Sequence, residues 1–136
     1  MPLMNPGRYY VGDLCYVLRD EKWDEVCNLM FPDEDREGKY GVFTLKDGTQ
    51  FAIFSTMYGD GQYFDREGNS YSVDSGTIGC VLADNLTIPK HGGYVVREFQ
   101  HKFYPYCKNG VMVFDDVRID TGDEEFNQKM VEYWRL

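Results

Sequence analysis

Three aspartates stand where the surrounding chain is otherwise strand-like and apolar. Asp13 follows "YYVG", Asp60 lies inside "YGDG", and Asp74 falls in "SVDSG". Carboxylates avoid such positions unless something satisfies them. Brought together, two or three of them would hold a divalent metal ion, or would divide the work of acid and base, because close like charges push their pKa values apart. Cys15, Tyr58, Tyr63 and Ser75 are the neighbours that would complete a polar pocket around them. The competing reading is that each aspartate accepts backbone N–H bonds within its own turn. Gly-Asp-Gly suits Asp60 to that role. Asp74, between Val73 and a run that resumes at Ile78, suits it least. Spacing leaves both readings open, so Asp13, Cys15, Tyr58, Asp60, Tyr63, Asp74 and Ser75 are ligand-binding candidates. No residue is assigned a catalytic or metal-ligating role, and the sequence names no cofactor.

Other chemistry-bearing patterns fall short of their templates. Asp33, Asp35 and Glu37 before Gly38 match the opening of a calcium loop, but Thr44 occupies the twelfth position, where a bidentate Glu is needed. His91 and His101 are the only histidines, and nothing local pairs either with Cys15 or Cys80 as a thiol–imidazole nucleophile. Ser75 is outside any G-x-S-x-G elbow, and the glycines form no phosphate-binding loop. Cys15, Cys27, Cys80 and Cys107 lack C-x-x-C spacing and read as reduced thiols in apolar surroundings. Tyr58, Tyr63, Tyr71, Tyr94, Tyr104 and Tyr106 would line the core edge or a stacking surface.

The elements that must position these residues follow from periodicity and turn chemistry. "RYYVGDLCYVL" (8–18) reads as a strand with a bend. In "DEKWDEVCNLMF" (20–31), Trp23, Val26, Cys27 and Met30 recur at helical spacing, with Asp20 placed as the cap. From Tyr40, short β-rich runs alternate with KDG, YGDG and REGN, which predicts an antiparallel meander with three hairpin turns. Residues 83–93 mix a short helical turn with a Pro/Gly loop. Asn109-Gly110 marks a further hairpin between "YVVREFQHKFYPY" and "VMVFDDVRI". Thr121 and Glu124 have capping-box spacing ahead of a terminal helix whose Phe126, Met130, Tyr133 and Trp134 share one face. The expected fold is α+β: about seven antiparallel strands in a curved sheet or small β-barrel, with an N-proximal and a C-terminal helix, in one domain spanning 1–136.

Composition narrows the function classes. A chain of 136 residues with 43% hydrophobic and 16% aromatic content can bury one core. Its net charge of -9 repels phosphate backbones and anionic membranes, so direct nucleic-acid binding is not expected, although the same acidity would suit a mimic of nucleic acid toward a basic partner. No run approaches a membrane span and the start lacks a signal-peptide pattern, so the expectation is a cytoplasmic protein.

In "YVGDLCYVL", "TMYGDGQY" and "YSVDSGTIGCV" the chain resembles a small uncharacterised family of bacteria, phages and large DNA viruses. That family carries Y-[IV]-x-D-x-C-Y-[VI], a central YGDG and a VD-[SA]-G-x-[IL]-G run; here Leu14 stands where proline is frequent. The resemblance covers roughly residues 9–82. It implies no activity, only that the three runs belong together, and it would allow a viral or phage host-directed factor. The leading expectation is thus a non-enzymatic binding module for a protein partner or a small polar ligand near the Asp-bearing turns. The alternatives are a small metal-assisted hydrolase or transferase using Asp13, Asp60 and Asp74, and a structural component of a larger assembly. Oligomeric state is open.

Overall fold

A computed structural model describes residues 3–33, 37–86 and 95–135. His91 and Tyr94, Asp35 of the calcium-like loop, and most of the 83–93 segment lie outside them. The chain is α+β, with ten strands and two α-helices among the described residues. Five strands form one antiparallel sheet in the order β2-β3-β6-β1-β7: β1 (Gly7–Gly12), β2 (Gly41–Thr44), β3 (Gln50–Ser55), β6 (Thr77–Leu82) and β7 (Val95–Phe99). A two-stranded ribbon pairs β4 (Gly61–Phe64) with β5 (Ser70–Val73). A third sheet orders β10-β9-β8, from β8 (Tyr106–Lys108), β9 (Val111–Phe114) and β10 (Val117–Asp120). The sheets do not close into a barrel, and among the described residues β2 and β7 are the edges of the main sheet.

The main sheet is buried on both faces, which explains why "QFAIFS" and "TIGCVL" are apolar without alternation. Tyr9, Val11, Ala52, Phe54, Ile78 and Cys80 face the two smaller sheets, meeting Tyr71, Val73, Met112, Phe114 and Ile119. Tyr10, Phe51, Ile53 and Val81 face the opposite way, onto Leu14, Leu18, Val26 and Met30. Val26 and Met30 are the buried face of α1 (Glu21–Met30). Gly79 marks the closest approach. A Cβ there would fall 2.1 Å from the Ala52 carbonyl oxygen and 3.0 Å from Leu14, so only glycine lets Leu14 cross the strand.

Several local expectations need correction. The first strand does not bend through Asp13: it ends at Gly12, and Leu14–Tyr16 forms a 3-10 turn capped by the Asp13 side chain. Asp20 stands at the N-cap of α1, but its side chain makes no cap bond. KDG and REGN close hairpins, whereas YGDG does not: β3 pairs with β6 and β4 with β5, so this turn passes the chain between sheets. Asn109 (φ 52) and Gly110 (φ 80) make the expected hairpin between β8 and β9. Its arms are each broken. β7 joins the main sheet, and "VMVFDDVRI" folds back on itself at Asp115 (φ 57). The helix α2 (Glu124–Arg135) is capped by Asp123, whose Oδ1 accepts from the Phe126 N–H at 3.0 Å, not by Thr121. Thr121 is buried, donating to the Gly110 carbonyl and accepting from the Met57 N–H. Nor does α2 lay its whole apolar stripe on the sheet, because Tyr133 and Trp134 are exposed.

Candidate functional site

Asp13 is 1% exposed, and its carboxylate is the hub that joins two of the three aspartate-bearing runs. Oδ1 accepts from the Cys15 N–H at 3.0 Å and from the Ser75 hydroxyl at 2.8 Å. Oδ2 accepts from the Asp74 N–H at 2.7 Å and the Ser75 N–H at 2.8 Å. The Ser75 hydroxyl also lies 2.6 Å from Thr77 Oγ1. Around the same hub, the Tyr10 hydroxyl donates to the Asp13 carbonyl, and the Tyr16 hydroxyl donates to the exposed Asp74 carboxylate. One buried anion thus ties the end of β1 to the turn between β5 and β6, across 62 residues of chain.

The third run reaches this cluster through backbone. Thr56 N–H donates to the Gly76 carbonyl at 3.0 Å, and the Thr56 hydroxyl donates to the Gly59 carbonyl at 2.6 Å. Gly76 has φ 72, a conformation suited to glycine, and a Cβ there would lie 3.9 Å from Asp60 Oδ1. Asp13, Cys15, Asp74 and Ser75 are therefore brought together with the Asp60 turn beside them.

What this cluster can do chemically is limited by how it is bonded. With four donors on its two oxygens, the Asp13 carboxylate has its main acceptor directions filled, which leaves little capacity for a metal ion or a substrate proton. Among the described residues, no group of three or more His, Cys, Asp and Glu side chains is placed to hold a metal ion. Burial pushes the Cys15 thiol up to about 12; the hydrogen bond to Asp13 and the charges of Asp13, Asp74 and Asp60 add to the effect. A thiol held protonated in this way is a poor nucleophile. Among the described residues, every buried side-chain nitrogen and oxygen has a partner.

Tyr58 and Tyr63 belong elsewhere. Tyr63 is buried and donates to the Gly59 carbonyl at 2.9 Å, whereas Tyr58 is exposed. With Gln62, Glu124, Gln128 and Val131 they line a hollow of about 250 Å³ between the YGDG turn, β4 and α2. Gln62 also lines a neighbouring cavity of about 660 Å³, together with Glu67, Asn69, Ser70, Arg97 and Trp134. The two share Gln62 and each is lined in part by α2, and together they are called the α2 groove.

A second buried carboxylate underlies this groove, and sequence reasoning passed over it. Asp65 is 2% exposed. It accepts from the Glu67 and Asn69 N–H groups at 2.9 Å, the Asn69 side-chain amide at 3.0 Å and the Tyr71 hydroxyl at 2.7 Å, and lies 3.6 Å from Arg97. Burial and the bond to Asp65 both raise the Tyr71 phenol well above its ordinary range. The available signal was "FDREGN", in which an aspartate precedes a glycine-bearing turn and can bond back into it.

A third concavity, of about 550 Å³, lies where the edge strands β2 and β8 approach. Tyr40, Tyr104 and Tyr106 line it, the last two stacked at 6.4 Å. Tyr40 and Phe31 lie close over Gly38, where a Cβ would come 2.5 Å from the Tyr40 hydroxyl and 2.7 Å from the Phe31 ring.

No family model matches this chain, and searches of curated proteins and of solved structures likewise return no match. All four cysteines are free. Among the described residues no helix is long and apolar enough to cross a membrane.

Proposed function

We propose that this chain is a non-enzymatic binding module that holds a small polar ligand in the groove along α2. The observation that carries this reading is the division of labour between the two regions. Asp13 turns its hydrogen-bonding capacity inward, while the groove presents exposed Tyr58 and Trp134 beside amide and hydroxyl side chains. A concave surface with a few convergent polar groups and no activated nucleophile suits binding better than turnover. The hydrolase or transferase reading asks Asp13 to act while it accepts four hydrogen bonds, and is the weaker one. Four free thiols fit a reducing, cytoplasmic setting. The family likeness in the three aspartate-bearing runs then concerns the part of the chain that holds the fold together, and a role as a viral or phage host-directed factor rests on that likeness.

A thermal-shift screen of divalent metals, nucleotides and sugars on the wild type, Asp74→Asn and Tyr58→Ala tests this. A ligand at about 100 times its Kd stabilises by about 2.7 kcal/mol, a shift of several degrees. The expected ligand response survives in Asp74→Asn and is lost in Tyr58→Ala. A response abolished by Asp74→Asn alone would return recognition to the aspartate turns, and consumption of the ligand would return the enzyme reading.

The tyrosine hollow between β2 and β8 favours a second reading, an extended polypeptide laid along two edge strands, whose unpaired backbone groups add affinity while ring-lined pockets add selectivity. Tyr104→Ala would then weaken a protein partner without touching the small-ligand response.

A further inference from the structure

We infer that the ligand of the α2 groove is a neutral oligosaccharide, a conclusion that rests on the binding reading above and gives its ligand a chemical class. Each hollow is lined by one exposed aromatic ring: Tyr58, 56% exposed, in one, and Trp134, 60% exposed, in the other. Neither ring is needed to fill the core. The face of an aromatic ring is the negative pole of its quadrupole and attracts the weakly positive C–H face of a pyranose.

The spacing along α2 gives the size of the ligand. Glu124 and Trp134, which line the two hollows, are separated by ten residues of helix, or about 15 Å at 1.5 Å per residue. That span exceeds a single sugar ring and suits a short chain of them. Gln62 lines both hollows.

The polar groups that line the two hollows match hydroxyls. Gln62, Asn69 and Gln128 each offer a donor and an acceptor, which is what a sugar hydroxyl, itself both, pairs with. Two of these amides are already held in place. Gln62 donates to the Ser70 hydroxyl at 2.6 Å, and Asn69 donates to Asp65 at 3.0 Å, so part of the ordering cost is met before binding.

Charge excludes the obvious rivals. Among the described residues Arg97 is the one cation that lines either hollow, and its guanidinium is engaged with Glu67 at 2.9 Å and Asp65 at 3.6 Å. A phosphate, sulfate or uronate would meet Glu67, Glu124 and a net charge of -9 with that cation already committed. A neutral saccharide meets no such repulsion.

The test is a panel of neutral tetrasaccharides (maltotetraose, cellotetraose, chitotetraose and mannotetraose) titrated into isotopically labelled protein. The Trp134 indole and the Gln62 and Gln128 side-chain amides are followed by NMR, with a mixed hexapeptide library and ATP as comparison probes. At least one tetrasaccharide should shift all three resonances, and Trp134→Ala and Tyr58→Ala should each weaken it roughly tenfold or more. Both residues are exposed, so both variants should fold. If only the peptides or ATP shift the groove resonances, the saccharide inference is overturned while the binding groove stands. If no probe shifts them, both are overturned.

Discussion

Replacing Asp13 by Asn keeps the shape of the side chain and turns one acceptor into a donor, so its cost can be worked from the four bonds the carboxylate accepts. If the new amide nitrogen takes the Oδ2 position, it faces the Asp74 and Ser75 N–H groups, found at 2.7 and 2.8 Å, and neither can turn away. If it takes the Oδ1 position, it faces the Ser75 hydroxyl, which can rotate its proton toward Thr77 Oγ1 at 2.6 Å, and the Cys15 N–H, which cannot. The second arrangement is cheaper. It strands one backbone donor and removes the charge from the remaining bonds. Bonds to charged acceptors contribute roughly 1.5–3 kcal/mol each, so the loss should be about 2–4 kcal/mol. For a chain of 136 residues, that lowers Tm by roughly 10 °C. Urea denaturation of wild type, Asp13→Asn, Ser75→Ala and the double variant measures the loss and the coupling between the two sites. A loss under about 1 kcal/mol with no coupling would refute the clamp and make the carboxylate available to a ligand.

Three further outcomes follow from the same geometry. Cys15 should resist alkylation in the native protein and react on denaturation, read by peptide mapping; because its thiol is raised to about 12 from an ordinary 9.0, the folded state keeps a proton the unfolded chain loses, and its share of stability is full below pH 9 and falls as pH rises from 9 toward 12. Gly79→Ala should cost at least the roughly 1–3 kcal/mol of ordinary overpacking, since its Cβ would meet backbone at 2.1 Å, and soluble yield with near-UV circular dichroism would show it; a variant as stable as wild type would contradict the close crossing of Leu14. Tyr71→Phe should cost about 1.5–3 kcal/mol by removing the 2.7 Å bond to buried Asp65, and an unchanged urea midpoint would contradict that.

The hairpins at KDG, REGN and Asn109-Gly110 were legible because their glycines encode the turn locally. The hairpin at Asp115 was not, because Asp115-Asp116 carries no glycine to mark the turn, although Asp115 takes the left-handed conformation. Turn chemistry likewise told that YGDG reverses the chain but not which strands it joins, a matter of pairing distant in sequence. The two helices were visible by period. Asp20 takes the expected N-cap position but makes no side-chain cap bond, and Thr121 was misread as a cap, since a capping residue type does not reveal where its side chain turns. The oddity of Asp13 and Asp74 in apolar surroundings was a true signal, and their meeting through Ser75 joins positions that no local rule connects. The groove was the least legible part. Tyr58 and Tyr63 pointed to one of its hollows, but helical period put Trp134 only on the apolar face of the terminal helix, and exposure is decided by how α2 docks.

The central claim is that the aspartate cluster holds the fold while the α2 groove does the recognising. Isothermal titration of the tetrasaccharide panel into wild type, Asp13→Asn and Trp134→Ala, at a temperature where all three are folded, separates the two roles. The account predicts that Asp13→Asn, though less stable, binds as the wild type does, and that Trp134→Ala, though as stable as the wild type, loses binding roughly tenfold or more. Binding lost in Asp13→Asn and kept in Trp134→Ala would contradict it.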